Sequence, residues 1–334
     1  MKNILLSVLF TLILATCHAD VSYQLLKEIP GGSDGGWDDL TVDSAAHRLY
    51  VSHATKVVVV DLATDTVAGE VTNTPGVHGI AVAPELNRGF TSNGRENKVG
   101  IFDLKKSQML AKADTQTNPD AILYLPGPSE VYAFNGRSQS ATVISAASGK
   151  VICAIPLGGK PEFARADPEA GRVFDNLEDK NEVVAIDAKT HAVVNRWPIA
   201  PGEAASGMAI DVKNHRLFLG CDNRLMVMLD NESGKVLASV PIGEGVDGAA
   251  FDPETRLVFA SCGDGTVTIA RADGDKLTVV QTLKTERGAR TMTIDPATHK
   301  IYLPTAKFEA PEPGQRRGKM VPGSFRILVY GLEK

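Results

Sequence analysis

Residues 79–113, GIAVAPELNRGFTSNGRENKVGIFDLKKSQMLAKA, contain the pattern that decides the fold. Short apolar segments alternate with turn-forming residues, and the predicted strands are Gly79–Ala83, Arg88–Ser92, Lys98–Phe102 and Gln108–Ala113. Pro84 presets one turn dihedral angle after the first segment. Four short strands separated by Gly, Asn, Asp and Pro indicate one antiparallel sheet.

The same unit recurs along the chain. An aromatic residue occupies one fixed place in each unit, at Tyr50, Phe90, Tyr132, Phe174, Phe218, Phe259 and Tyr302. Seven positions upstream of each aromatic residue lies a marker where an apolar run ends, and successive markers are 40 to 44 residues apart: Asp43, Ala83, Leu125, Asp167, Asp211, Asp252 and Asp295. A period near forty with strand-like units predicts an all-β fold, a seven-bladed β-propeller of four-stranded antiparallel blades.

The two ends of the chain are expected to share the last blade. The seventh unit ends with a third strand at 325–330, and only Gly331–Lys334 follow it. A strand-like segment at Tyr23–Ile29 can supply the missing outer strand, which would remove an exposed sheet edge. The N-terminal strand therefore closes the predicted ring.

The first nineteen residues are predicted to be a secretory signal peptide. Lys2 is followed by the apolar run Ile4–Leu14, and small residues precede a cleavage site after Ala19. Acylation of Cys17 as a lipoprotein is the alternative. Residues 20–334 then form one propeller domain, periplasmic or secreted. They contain no other apolar run of membrane-spanning length, and we expect a monomer.

Charge and cysteine content exclude some classes of protein. The chain carries 35 basic and 40 acidic residues, a net charge of −5, which disfavours general binding to nucleic acid. An odd number of cysteines follows the signal peptide, at Cys153, Cys221 and Cys262. An odd number in an exported chain is not a disulfide framework, and buried small side chains are the simpler interpretation.

The best candidate site is a ring of polar residues five positions before the markers. All should lie around the mouth of the central channel, where they would bind a small molecule or a protein: Asp38, His78, Asp120, Glu162, Ser206, Asp247 and Arg290. A water-filled channel mouth is polar in any propeller, so this ring alone does not specify a ligand.

A second layer of candidates lies in the loops between the second and third strands: His53, Asn93, Arg95, Asn135 and Arg137. The sequence Asn-Gly-Arg occurs in two neighbouring units, and arginines there can hold an anion through paired donors. Asn-Gly is also simply a good turn. His53 and His78 beside the acidic residues are the only suggestion of a metal, and we predict neither a metal nor another cofactor.

The seventh unit carries a long insertion, from Pro304 to Gly323. A loop of this length in a compact domain is usually functional or disordered. Its position in the repeat would place it over the channel mouth. The sequence therefore suggests a lid.

The repeat resembles the YVTN family of exported bacterial β-propellers, the YncE-like proteins. The resemblance rests on Arg48–Ser52, Val57–Asp61, Gly288–Pro296, Ile301–Ala306 and Val321–Phe325, and it extends over residues 21–332. It implies a seven-bladed ring but supplies no catalytic residues. WD40 repeats have a similar period, yet their Gly-His and Trp-Asp signatures are absent here.

The sequence also lacks a recognisable catalytic motif. We therefore expect an exported binding or interaction scaffold without an activity of its own. One alternative is a hydrolase similar to the lactonase propellers, using His78, Glu162 and Arg290 on a sugar lactone. Another alternative, nucleic-acid binding, would need a local arginine patch.

Overall fold

The computed structural model describes residues 22–32, 35–310 and 318–333. Their 28 strands form seven separate four-stranded antiparallel sheets, so the predicted seven-bladed β-propeller is confirmed. The predicted signal peptide, residues 1–19, lies outside the described residues. In the part of the chain that the structure covers, no helix is long and apolar enough to cross a membrane.

The strands follow one another blade by blade, except that β1 (Tyr23–Pro30) belongs to the last blade. Blade 1 contains β2 (Trp37–Asp43), β3 (Arg48–His53), β4 (Lys56–Asp61) and β5 (Thr66–Thr72). Blade 2 contains β6 (Val77–Ala83), β7 (Arg88–Asn93), β8 (Lys98–Asp103) and β9 (Gln108–Asp114). Blade 3 contains β10 (Pro119–Leu125), β11 (Glu130–Asn135), β12 (Ser140–Ser145) and β13 (Val151–Pro156).

Blade 4 contains β14 (Pro161–Asp167), β15 (Arg172–Leu177), β16 (Glu182–Asp187) and β17 (Ala192–Pro198). Blade 5 contains β18 (Ala205–Asp211), β19 (Arg216–Cys221), β20 (Leu225–Asp230) and β21 (Val236–Pro241). Blade 6 contains β22 (Val246–Asp252), β23 (Leu257–Cys262), β24 (Thr266–Asp273) and β25 (Lys276–Lys284). Blade 7 contains β26 (Thr293–Asp295), β27 (Lys300–Thr305), β28 (Arg326–Leu332) and β1. Among the described residues, two short 3-10 helices occupy Pro84–Leu86 and Glu178–Lys180.

The repeated aromatic residues form the core between blades. Each of the seven lies in the second strand of its blade and exposes 1% of its surface or less. Burying one such side chain stabilises the fold by about 1.5–3 kcal/mol. Because both faces of an inner strand pack against neighbouring blades, the repeat places one large ring in each layer of the core.

The chain ends close the ring as predicted. Strand β1 pairs antiparallel with β28, with Tyr23 opposite Leu332 and Pro30 opposite Arg326. The Tyr23 hydroxyl donates to the His299 carbonyl at 2.7 Å. The last blade therefore gains its outer strand from the start of the domain.

Aspartates at the third-to-fourth strand turns have structural roles. In blade 1, Asp61 Oδ1 accepts hydrogen bonds from the backbone amides of Ala63 at 2.9 Å and Thr64 at 3.0 Å. These amides and Arg48 lower the pKa of Asp61. Asp103, Asp187 and Asp230 repeat the arrangement in blades 2, 4 and 5. Their hydrogen bonds hold the turns.

The insertion in blade 7 is anchored near the channel. Strand β27 continues to Thr305, and beyond it Phe308 pairs with Met320 in an isolated bridge. The Phe308 ring lies 6.1 Å from that of Trp37, the neighbour of Asp38 in β2. The tip of the predicted lid, residues 311–317, lies outside the described residues.

Candidate functional site

The inner strands bring the predicted polar ring together at one end of the channel. Six of its members line a single small cavity of about 30 Å³: Asp38, His78, Asp120, Glu162, Ser206 and Asp247. The seventh, Arg290, forms an ion pair with Asp247, with 2.9 Å between Nε and Oδ2. A space of this size holds about one water molecule. The mouth is therefore narrow, and its side chains bind chiefly one another.

His78 joins the first three blades at the mouth. Its Nδ1 lies 2.6 Å from Asp38 Oδ2 and 3.6 Å from Asp120 Oδ1. Burial opposes the charged imidazolium, but the hydrogen bond to Asp38 and the charges of Asp120 and Glu162 outweigh it. The pKa of His78 rises to about 9. At neutral pH the ring is protonated and held between two carboxylates.

Lys160 is a member of this site that the sequence analysis missed. Its Nζ forms ion pairs with both Glu162 and Glu178. Burial raises the pKa of Glu162, which the Lys160 hydrogen bond only partly offsets and the charge of Asp120 reinforces. Its position in the sequence could have indicated this role, because Lys160 precedes Glu162 by two residues in the segment that leads into the first strand of blade 4.

Asp247, on the opposite side of the polar ring, also has a shifted pKa. Burial raises the pKa of Asp247 to about 6, although Arg290 opposes the rise. Thr291 Oγ1 donates to the Asp38 carbonyl at 2.7 Å and connects blade 7 to blade 1. The acidic mouth therefore consists mostly of internal ion pairs.

Three of the predicted loop candidates are buried and do not line the mouth cavity. His53, Asn93 and Asn135 are the last residues of β3, β7 and β11, and all three side chains are fully buried. The His53 ring stacks on Phe325 with centroids 4.1 Å apart. Asn135 Nδ2 donates to the Ser140 carbonyl at 3.1 Å. Each strand continues one residue further than the pattern suggested, which places these side chains in the core.

The two arginines of the Asn-Gly-Arg loops do meet in one place. Arg95 and Arg137 are exposed and line a cleft of about 530 Å³ between blades 2 and 3, the Arg95–Arg137 cleft. Its described walls are His78, Gly94, Arg95, Asn97, Thr117, Asn118 and Arg137, which include no carboxylate. No ion pair joins either arginine to a described acidic residue. His78 lies between this cleft and the mouth.

Two glycines at or near the cleft allow side chains to approach the backbone closely. A Cβ atom on Gly94 would lie 2.7 Å from both His78 Nε2 and Asn118 Nδ2. One on Gly76, whose φ is +64°, would lie 2.5 Å from Arg95 Cγ. In blade 2 the glycine of the Asn-Gly-Arg loop lets the loop pack on His78 and its arginine lies across Gly76, whereas Gly136 in blade 3 makes only ordinary contacts.

Asp38, His78 and Asp120 are the described residues whose arrangement could hold a metal ion. Their ligand atoms lie within 4.8 Å of one another. An imidazole must be neutral to bind a metal, whereas the two carboxylates favour the protonated ring. We therefore assign the three residues as an ion-paired group.

No family model and no curated protein matches this chain. Solved structures do. U3-55K superimposes with a TM-score of 0.75 at 10% identity, over 92% of this chain and 98% of that one. The WD40 repeats of RRP9 give a TM-score of 0.76 at 11% identity, over 95% of this chain and 99% of that one. Identity this low shows the fold alone. The protein is a β-propeller scaffold structurally similar to WD40 domains.

Proposed function

We propose that this protein is a non-catalytic binding scaffold that holds an anionic ligand in the Arg95–Arg137 cleft. One observation carries the proposal. Three cationic side chains, Arg95, Arg137 and the protonated His78, line a single cleft whose described walls contain no carboxylate. Guanidinium groups without an acidic partner present paired donors, which match the geometry of a carboxylate or a phosphate.

The neutral walls of the cleft suit the same class of ligand. Asn97, Thr117 and Asn118 offer amide and hydroxyl groups beside the cations. A volume of about 530 Å³ lies in the range typical of small-molecule sites. The ion-paired acids of the mouth adjoin the cleft on the His78 side and repel an extended polyanion. A small carboxylate- or phosphate-bearing ligand therefore fits better than nucleic acid.

The geometry argues against the lactonase-like alternative. A general base must be able to accept a proton near neutral pH, but the raised pKa of His78 keeps it protonated there. Glu162 is held by Lys160, and Arg290 is held by Asp247. His78, Glu162 and Arg290 thus each contact an oppositely charged side chain of the site.

Isothermal titration calorimetry with citrate and inorganic phosphate tests the proposal, with an acidic peptide and a single-stranded oligonucleotide as further probes. The Arg95→Met/Arg137→Met variant should lower the affinity for the small anions at least about tenfold, which corresponds to 1.4 kcal/mol. Arg224→Met is the matched control, because Arg224 lies in the equivalent loop of blade 5 and pairs with Glu244 at 2.8 Å.

An equal loss of affinity in both variants would show that the effect comes from the net charge of the protein, and it would contradict the assignment of the ligand to this cleft. Tighter binding of the peptide would identify a protein partner in place of a small molecule. Turnover of a lactone panel that disappears in His78→Gln would favour the hydrolase. Oligonucleotide binding that weakens steeply with salt would favour nucleic acid.

We also infer that the scaffold is exported, as in the YncE-like proteins that its repeat resembles. The inference rests on the N-terminal charge, the apolar run and the small residues before Asp20. Mass spectrometry of the protein purified from its native cells should find Asp20 as the first residue. A chain that begins at an acylated Cys17 would establish the lipoprotein alternative, and retention of Met1 would refute export through this signal.

A further inference from the structure

A second cavity occupies the channel beyond the mouth. Its volume is about 420 Å³, and it extends along the inner strands from Asp39 towards their far ends. Most of the described residues that line it are apolar, among them Val42, Tyr124, Phe251 and Ile294, and polar atoms supply about half of the surface that faces the cavity. Asp39 and Arg165 are the only acidic and basic residues in that described wall, so the cavity combines apolar side chains with an ionisable inner end.

Arg165 departs from the repeat at this level of the channel. The equivalent residues of the other blades are uncharged: Thr41, Ala81, Leu123, Ala209, Ala250 and Thr293. An arginine here is costly to bury, and burial lowers its pKa, an effect that the charge of Asp39 opposes. The side chain nevertheless stays protonated, because arginine does not lose its proton in proteins.

The contacts of Arg165 fix the guanidinium across the channel. One terminal nitrogen donates to the Ala164 carbonyl at 2.9 Å, and the other approaches the Ala249 carbonyl on β22, two blades away, at 3.4 Å. The group also lies 4.5 Å from the centroid of the Phe163 ring. The charge of Asp39 in the same wall acts on it, but no described carboxylate lies within 4 Å of its nitrogens. Since a guanidinium has five N–H donors, most of its donor capacity is available to a ligand.

We propose that this cavity binds a small amphiphilic carboxylate, with the carboxylate on Arg165 and the apolar body along the channel wall. A purely apolar molecule would leave the guanidinium without a partner. A compact polar anion would leave the apolar side chains of the wall exposed to water. Few ligand classes therefore match both parts of the cavity. The volume is typical of a small-molecule site. The site is separate from the Arg95–Arg137 cleft, with which it shares no lining residue.

Calorimetric titration of the full mature chain with octanoate tests the proposal, with octanamide and octylammonium as probes of equal chain length. Octanoate should bind at least about tenfold more tightly than either probe, because only the anion pairs with the guanidinium. Affinity should rise from butanoate to octanoate, since each buried CH₂ contributes about 0.8 kcal/mol, or roughly fourfold.

Three variants locate the binding. Arg165→Met should lower octanoate affinity at least tenfold, whereas Arg256→Met, an exposed arginine paired with Asp273, should leave it unchanged. Burial raises the pKa of Asp39 to about 7, so at pH 8 Asp39→Asn removes a negative charge from the wall and should tighten binding about threefold or more. Thr293→Leu fills the cavity and should weaken octanoate more than acetate. Thermal melting confirms that each variant is folded.

Equal affinity for octanoate and octanamide would overturn the proposal, as would unchanged binding in Arg165→Met. Failure of octanoate to bind the wild type at millimolar concentration would do so as well. Arg95→Met/Arg137→Met should leave octanoate affinity unchanged. The two proposed sites can therefore fail independently.

Discussion

His78 and Asp38 are joined across the boundary between blades 2 and 1 by a hydrogen bond of 2.6 Å between Nδ1 and Oδ2. Burial works against a charged imidazole here, yet Asp38, Asp120 and Glu162 together raise the pKa of His78 to about 9. The pair connects the inner strands of two blades, and it also sets the charge that His78 presents to the Arg95–Arg137 cleft.

NMR titration of ¹⁵N-histidine-labelled protein should find a midpoint near pH 9 for His78, identified by the signal lost in His78→Gln. Because the folded pKa exceeds the unfolded value of about 6.5, the pair stabilises the fold fully below pH 6.5 and loses this contribution as the pH rises through 9. Asp38→Asn should lower the midpoint towards 6.5. Glu232→Gln, in an exposed turn, is the control. A wild-type midpoint near 6.5 would contradict the assignment.

Asp175 is a buried acid whose replacement should stabilise the protein. Its side chain is fully buried, and no described group donates a hydrogen bond to either carboxyl oxygen. Burial, reinforced by the charge of Glu162, raises the pKa of Asp175 well above its usual range. Asp175→Val should increase the free energy of unfolding by about 1–3 kcal/mol, because it removes an unpaired polar group from the core.

The gain from Asp175→Val should also depend on pH. The folded state binds the proton more tightly than the unfolded state, so the stability of the wild type falls as the pH rises above about 4. Urea denaturation should therefore show a larger gain at pH 8 than at pH 4. Thr91→Val is the matched control, at the equivalent position of blade 2, and its effect should not change with pH. A destabilised Asp175→Val would reveal a required polar role.

The pairing of the N-terminal strand β1 with β28 in the last blade should be essential to the stability of the protein. Tyr23 and Ile29 are its buried side chains, at 2% and 0% exposure. Deleting Tyr23–Pro30 should cost about 3–6 kcal/mol from these two side chains, besides exposing the edge of β28. Thermal denaturation measures the loss. Leu25→Thr/Leu26→Thr, on the exposed face of the same strand, should melt close to the wild type. An unaffected deletion would show that the ring does not depend on this pairing.

In blade 2 the large side chain of Phe102 occupies the space left by the missing side chain of Gly89. They lie opposite each other on β7 and β8, and a Cβ atom on Gly89 would lie 2.1 Å from Phe102 Cζ. In blade 1 the equivalent pair is Leu49 and Val60. Gly89→Val should therefore cost about 1–3 kcal/mol through overpacking.

A double-mutant cycle tests the Gly89–Phe102 pair by chemical denaturation. Gly89→Val/Phe102→Val should recover at least half of the loss, because the double variant approaches the pair of blade 1. Gly127→Ala, in an open turn with no atom within 4 Å of the added carbon, should change stability little. Additive losses in the double variant would show that the two residues do not compensate each other.

The sequence by itself determined the ring. A period of 40 to 44 residues and a recurring aromatic residue specify local β-structure, and any stack of such units must bury the same face against the next. Blade number, strand closure and the ring of residues from Asp38 to Arg290 follow from that repetition. Position within a repeat predicts position in space, since each blade places equivalent residues at one level of the channel.

Only the tertiary structure decided which of those residues are available to a ligand. His53, Asn93 and Asn135 occupy the same loops as the arginines in the sequence, yet one further residue of strand buries them. Lys160, Asp39 and Arg165 acquire their roles from side chains on other blades, across distances that a periodic pattern does not encode. Charge compensation and burial are properties of the assembled channel. As a result, the charged side chains of the mouth form ion pairs with one another, whereas the arginines of the cleft and of the inner cavity keep N–H donors available to a ligand.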